Sequence, residues 1–145
     1  MQTLSYIGIN PGIADTCDNL ALMCIDFRMH GKICDALTYG GYRDFDLIAL
    51  PGGSKALVDE DSRPTVLAAI ERAIAVHKVK RLIIADHVDC KAHGGSERFT
   101  NSDEETTMHE QALRQAAEIV KSRFPELEVV LVYAGRDRVG VVATG

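Results

Sequence analysis

Long apolar runs are missing from this 145-residue sequence: none approaches the length of about 18 residues that a membrane-spanning helix needs. The opening residues, MQTLSYIGINPG, carry neither a basic n-region nor a long apolar stretch, so no secretory signal is expected and the expected compartment is cytoplasmic. Basic residues are in deficit, 16 against 21 acidic, for a net charge of −5. That balance provides no global basic footprint for nucleic acid or an anionic membrane surface. Internal repeats, low-complexity tracts and long linkers are lacking too, and a single domain over residues 1–145 is expected. Cysteine is sparse at four residues, and a hydrophobic content of 46% builds a core without a disulfide framework. In a reducing cytosol, unevenly spaced cysteines read first as metal ligands or reactive thiols, and otherwise as small buried hydrophobes. The default partner is a small molecule or another protein.

Short apolar runs are present at Leu20–Cys24, Phe45–Leu50, Arg81–Ala85 and Glu128–Ala134, with a fifth at Val139–Ala143. Their lack of polar alternation predicts strands covered on both faces. The segments between them read as helices. From Ser62, the positions Val66, Leu67, Ile70, Ala73, Ile74 and His77 form one stripe, which makes His77 a core or interface side chain. Ser102 followed by Glu105 fits a capping box, and Ala112, Leu113, Ala116, Ile119 and Val120 keep the helical period until Phe124-Pro125. Residues 29–40 suit a short crossover helix. Strand–helix alternation predicts an α/β fold with a mainly parallel sheet, whose ligands bind beyond the carboxyl ends of strands.

Two such ends carry cysteine. Cys24-Ile25-Asp26-Phe27-Arg28 follows the first strand, and His87-Val88-Asp89-Cys90 follows the third. If those strands are neighbours, Cys24, His87 and Cys90 converge as two thiolates and an imidazole. These suit zinc and leave a fourth position open, where a bound water has its pKa lowered to about 7. Asp26 accepts a hydrogen bond from the resulting hydroxide, and Arg28 holds that carboxylate in a charge-assisted pair. In an extended stretch Cys24, Asp26 and Arg28 would share a side. With four cysteines, C-x-D-x-R arises by chance about 1% of the time. With five histidines, H-x-x-C alone arises roughly a quarter of the time, so the weight rests on the two together.

With CIDFR at residues 24–28 and HVDC at 87–90, the sequence resembles the β-class carbonic anhydrases. The resemblance extends from about Leu20 to the end, where YAGRDRVGVVATG looks like a divergent form of the family's closing hairpin. It implies zinc on Cys24, His87 and Cys90, an Asp26–Arg28 catalytic dyad, and reversible hydration of CO2 to bicarbonate and a proton. It also implies strand order 2-1-3-4 with a possible fifth edge strand, helices on both faces, and a homodimer or higher homo-oligomer. The chain departs from the family in having Asp86 and Lys91 where glycine is usual, and only 23 residues precede Cys24. The resemblance also allows hydrolysis of carbonyl sulfide or carbon disulfide. A different class is a non-catalytic zinc or redox-sensing protein, its site closed by Asp26 as fourth ligand or by a Cys24–Cys90 disulfide after metal loss.

Other residues carry weaker expectations. His93 follows the ligand turn and is a candidate proton shuttle at the pocket mouth. Asp89 reads as a turn former, and Cys17 and Cys34 as buried thiols. Phe27, Tyr39, Tyr42 and Phe99 are candidate pocket aromatics. Pro51-Gly52-Gly53-Ser54 lacks the spacing of a phosphate loop, and the resemblance sets it beside the substrate pocket.

Overall fold

The computed structural model describes residues 14–143. Their strands are β1 (Asn19–Met23), β2 (Phe45–Ala49), β3 (Arg81–His87), β4 (Glu128–Ala134) and β5 (Val139–Val141), in one sheet of order β2-β1-β3-β4-β5. The first four are parallel, and β5 is an antiparallel edge strand on β4. The helices are α1 (His30–Tyr39), α2 (Lys55–Val58), α3 (Arg63–His77) and α4 (Ser102–Arg123). Two 3-10 turns, Lys91–His93 and Ser96–Arg98, lie between β3 and α4. The expected α/β order, including its edge strand, is the observed one.

Side-chain alternation along the strands divides the core between the two sheet faces. Leu20, Leu22, Leu82, Ile84 and Leu131 pack with Leu57, Val66, Ile70, Leu113 and Val120 of α2, α3 and α4. On the other face Ala21, Met23, Ile83 and Ala85 meet Ile33 and Leu37 of α1. Both faces being covered, β1 has no solvent side and every one of its residues is buried.

One element goes unseen in the sequence and three local expectations need correction. Helix α2 is too short to show a periodic stripe and goes unseen in the sequence. Strand β3 runs on through Asp86 and His87, because pairing with Tyr133 and Ala134 of β4 continues past the apolar run. His77 does not enter the core; it ends α3 half-exposed, and its Nδ1 lies 2.7 Å from Asp46 Oδ2 on β2. Finally, Asn101 rather than Ser102 caps α4, its Oδ1 accepting from Asp103 N at 3.0 Å and Glu104 N at 2.9 Å. Glu104 returns to Thr100 N at 2.8 Å, so the reciprocal cap is displaced by one residue. That displacement leaves Glu105 free to turn inward.

Candidate functional site

Parallel pairing sets Met23 of β1 beside Ala85 of β3, so the two strands open on one carboxyl edge. Cys24 is the first residue beyond β1, and His87 is the last of β3. Cys90 returns to them after a turn through Asp89, whose φ of +56° is left-handed. The ligand atoms of Cys24, His87 and Cys90 all lie within 4.8 Å of one another, and the two sulfurs are 3.8 Å apart. All three residues are buried. His87 Nδ1 is 2.8 Å from the Val88 carbonyl, which only accepts, so Nδ1 carries the proton and the neutral ring keeps its lone pair on Nε2. Among the described residues, that buried Nε2 has no hydrogen-bond partner. An orphaned imidazole lone pair beside two thiols is a donor set that fits zinc.

Electrostatics favour a cation at the same place. The hydrogen bond shared with Cys90, against the effect of burial, holds the Cys24 pKa well below 9.0; His87 and the Gly52 N–H, 3.3 Å from Cys24 Sγ, act in the same direction. Cys90 is pushed up by that same pairing and by burial. Burial opposes charge on His87, yet the Cys24 thiolate and the Val88 carbonyl outweigh it and lift the imidazole pKa above 6.5. Either a proton or a metal ion satisfies this demand for positive charge.

Asp26 and Arg28 meet by a turn rather than along an extended segment. The chain bends over residues 27–29, and Arg28 N donates to Asp26 Oδ1 at 2.9 Å. The guanidinium then grips the same carboxylate, Nε to Oδ1 at 3.0 Å and Nη2 to Oδ2 at 2.6 Å. Its remaining nitrogen, Nη1, donates to Asp89 Oδ2 at 2.9 Å. Arg28 holds the Asp26 pKa down to about 2. Asp89 is held below the usual carboxylate range by the Ser96 N–H first, then by Arg28 and Lys91. Asp26 Oδ2 stands 4.0 Å from His87 Nε2, beside the cluster but tied to arginine. A cleft of about 510 Å³ opens here, lined by Cys24, Asp26 and Arg28 together with Ile25, Phe27, Pro51, Lys91 and Ala92.

A family model described as "Putative carbonic anhydrase" matches residues 14–143. The chain belongs to that family. Uncharacterized proteins of Rickettsia bellii and Rickettsia conorii are 34% and 32% identical to it, each over 127 residues covering 83% of this chain and 77% and 68% of theirs. Among solved structures, the carbonic anhydrase of Streptococcus mutans superposes with a TM-score of 0.60 at 18% identity, covering 88% of this chain and 84% of that one. A β-carbonic anhydrase of Trichomonas vaginalis gives 0.63 at 13% identity, covering 97% and 89%. One of two tetrameric β-carbonic anhydrases of Sordaria macrospora gives 0.55 at 19%, covering 91% and 83%. The fold is thus that of the β-carbonic anhydrases.

Within this carbonic anhydrase fold, Cys24, Asp26, Arg28, His87 and Cys90 come together as the spacing predicts, and His93 does not join them. Its ring is buried, with Nε2 at 2.9 Å from the Gly52 carbonyl, and burial lowers its pKa below 6.5. It has no place at the mouth from which to exchange protons with solvent. Of the candidate aromatics, Phe27 alone lines the cleft; Tyr42 lies under Arg81, Phe99 beside Arg98, and Tyr39 is exposed at the end of α1. Asp89 forms the expected turn and adds a grip on Arg28. Cys17 and Cys34 are half-buried rather than buried.

Glu105 and Asp86 escape the sequence reading. Buried Glu105 accepts from Asp89 N at 2.7 Å and Ser96 Oγ at 2.8 Å, fixing the turn that carries Cys90. The available signal was helical: Glu105 and His109 share the buried face of α4 with Leu113, Ala116 and Val120. Polar groups that extend an apolar stripe toward a strand's carboxyl edge need buried partners.

Proposed function

We propose that this protein is a zinc-dependent enzyme that reversibly hydrates CO2 to bicarbonate and a proton. The observation that carries this reading is the Asp26 carboxylate, held by Arg28 beside the Cys24–His87–Cys90 cluster but outside it, 4.0 Å from His87 Nε2. Cys24, His87 and Cys90 would hold the ion and leave a fourth position. When bound, zinc supplies the Lewis acidity that lets water ionise near neutral pH.

The chain's own residues supply orientation. Asp26, ionised throughout the physiological range, accepts a hydrogen bond from the attacking oxygen and turns its lone pair toward the substrate. Arg28 keeps both oxygens of Asp26 in place, and Asp89 keeps Arg28 in place. Ile25, Phe27, Pro51 and Ala92 give the cleft an apolar wall suited to uncharged, linear CO2. With His93 enclosed, protons leave through the open cleft to water or buffer.

The alternative of a site closed by Asp26 is disfavoured by the Arg28 fork, which a fourth-ligand role would have to break. Carbonyl sulfide and carbon disulfide remain substrates for the same machinery. Assembly as a homodimer or larger homo-oligomer belongs to this reading, supported by Phe27, 85% exposed, and Ile25, 52% exposed, at the cleft. The test is CO2 hydration by zinc-verified Asp26→Asn and Arg28→Ala, each expected to lose about 100-fold or more in kcat/KM. Full activity in either variant overturns the dyad.

A further inference from the structure

Beneath the cleft, on the sheet face that carries α4, three side chains from distant parts of the sequence meet around Asp86, the residue that stands where the family usually has glycine. Asp86 is 1% exposed. Its Oδ1 accepts from Ser54 N at 2.8 Å; its Oδ2 accepts from Ser54 Oγ at 2.7 Å and His109 Nδ1 at 3.0 Å. His93 Nε2 lies 3.6 Å from the same Oδ2 and donates to the Gly52 carbonyl at 2.9 Å. Only acceptors face those two ring nitrogens, so both carry protons. Gly53 sits so close that a Cβ there would stand 2.7 Å from Asp86 Oδ1, and its φ of +55° already favours glycine.

Through Asp86 and His93 these contacts hold the turn from Pro51 to Ser54, and a hydrogen bond from that turn reaches the metal cluster. Gly52 N donates to Cys24 Sγ at 3.3 Å. His93 binds the far side of the same residue through its carbonyl, and its own backbone N donates to the Cys90 carbonyl at 3.0 Å. We propose that Asp86, His93 and His109 are positioning residues that fix this turn so that the Gly52 N–H is delivered to the Cys24 sulfur. In doing so they set how strongly that sulfur donates to a bound metal. The inference rests on the reading of Cys24, His87 and Cys90 as metal ligands. The same three side chains, with donor atoms within 4.8 Å of one another, have the composition of a second cation site. A cation bound through Asp86 Oδ2, His93 Nε2 and His109 Nδ1 would displace both ring protons and break the Gly52 contact, so the hydrogen-bonded arrangement is the one the geometry favours.

The test uses the full chain loaded with cobalt, whose thiolate-to-metal charge-transfer band reports the sulfur, together with zinc dissociation constants from chelator competition. An N–H donor stabilises the sulfur lone pair, so its loss moves the band to longer wavelength. His93→Leu is expected to shift the band that way and to change the zinc dissociation constant by about tenfold. His93→Gln, which keeps an N–H near the position of Nε2, is expected to restore both. A His93→Leu band coincident with wild type, or a His93→Gln band displaced as far as that of His93→Leu, overturns the proposal. Should His93→Leu fail to fold, Ser54→Ala removes one donor to Asp86 and must give a smaller shift in the same direction; no shift overturns the proposal. Two metal ions per chain, with one lost in His109→Leu and the thiolate band unmoved, overturns it in favour of a second cation site. A wild-type protein with no thiolate band at all defeats the metal reading itself, a result distinct from every variant outcome.

Discussion

His87 shows how one carbonyl decides the chemistry of a ring. The Val88 oxygen accepts a hydrogen bond from Nδ1–H and leaves Nε2 as a buried lone pair with no partner among the described residues. Arg28 plays the corresponding part for Asp26. Without the guanidinium the Asp26 pKa should climb from about 2 toward 3.8, measurable by carboxyl carbon NMR in Arg28→Ala. The sign follows from a depressed pKa: stability from the pair is present above 3.8 and lost as pH falls toward 2. Because the arginine side chain is 41% exposed, that contribution is modest. Activity at neutral pH is therefore insensitive to Asp26 titration in the wild type. The enclosure of His93 yields another residue-scale expectation. With His93 away from the mouth, kcat should rise with the concentration of a small buffer such as imidazole. A kcat independent of buffer would require a group that carries protons from the cleft.

At the scale of elements, α4 and the segment after β3 act together. Glu105 bonds the Asp89 N–H and the Ser96 hydroxyl, and His109, one turn on, bonds Asp86. Glu105→Ala leaves the Asp89 N–H without its acceptor and should cost about 1–3 kcal/mol in urea unfolding, together with weaker zinc binding. Asn101→Ala, at the cap of the same helix, should cost about 1 kcal/mol and leave zinc affinity unchanged. The contrast separates support of the site from stability of the helix. What was legible in the sequence divides along the same line. Strands and long helices are local patterns, legible because a few neighbouring residues determine them; the C-x-D-x-R and H-x-x-C spacings foretell which side chains meet, but not that Asp26 and Arg28 meet by a turn. The cap at Asn101 lies one residue from the expected one and helix α2 is too short for a period, whereas the environment of His93 depends on partners elsewhere. Asp86 meets Ser54 across 32 positions and His109 across 23, and no spacing rule brings them together.

For the whole molecule, a parallel sheet covered on both faces places the termini of β1 and β3 side by side and leaves their shared edge for chemistry. A metal held there by Cys24, His87 and Cys90 would tie the two strand ends to each other. Removal of zinc with a chelator should lower Tm and be reversed by zinc addition, and Cys24→Ser should abolish the effect of the chelator. Phe27 and Ile25, exposed at the cleft, predict a homodimer or larger assembly by light scattering. Phe27→Glu is expected to shift that assembly toward monomer.

The most direct measurement is stopped-flow CO2 hydration near pH 8.5 on protein shown to carry one zinc per chain. The account predicts rapid hydration that disappears in Cys24→Ser. Absence of hydration with one zinc bound would contradict it, and turnover of carbonyl sulfide or carbon disulfide by the same preparation would then identify the substrate class that the cleft serves instead.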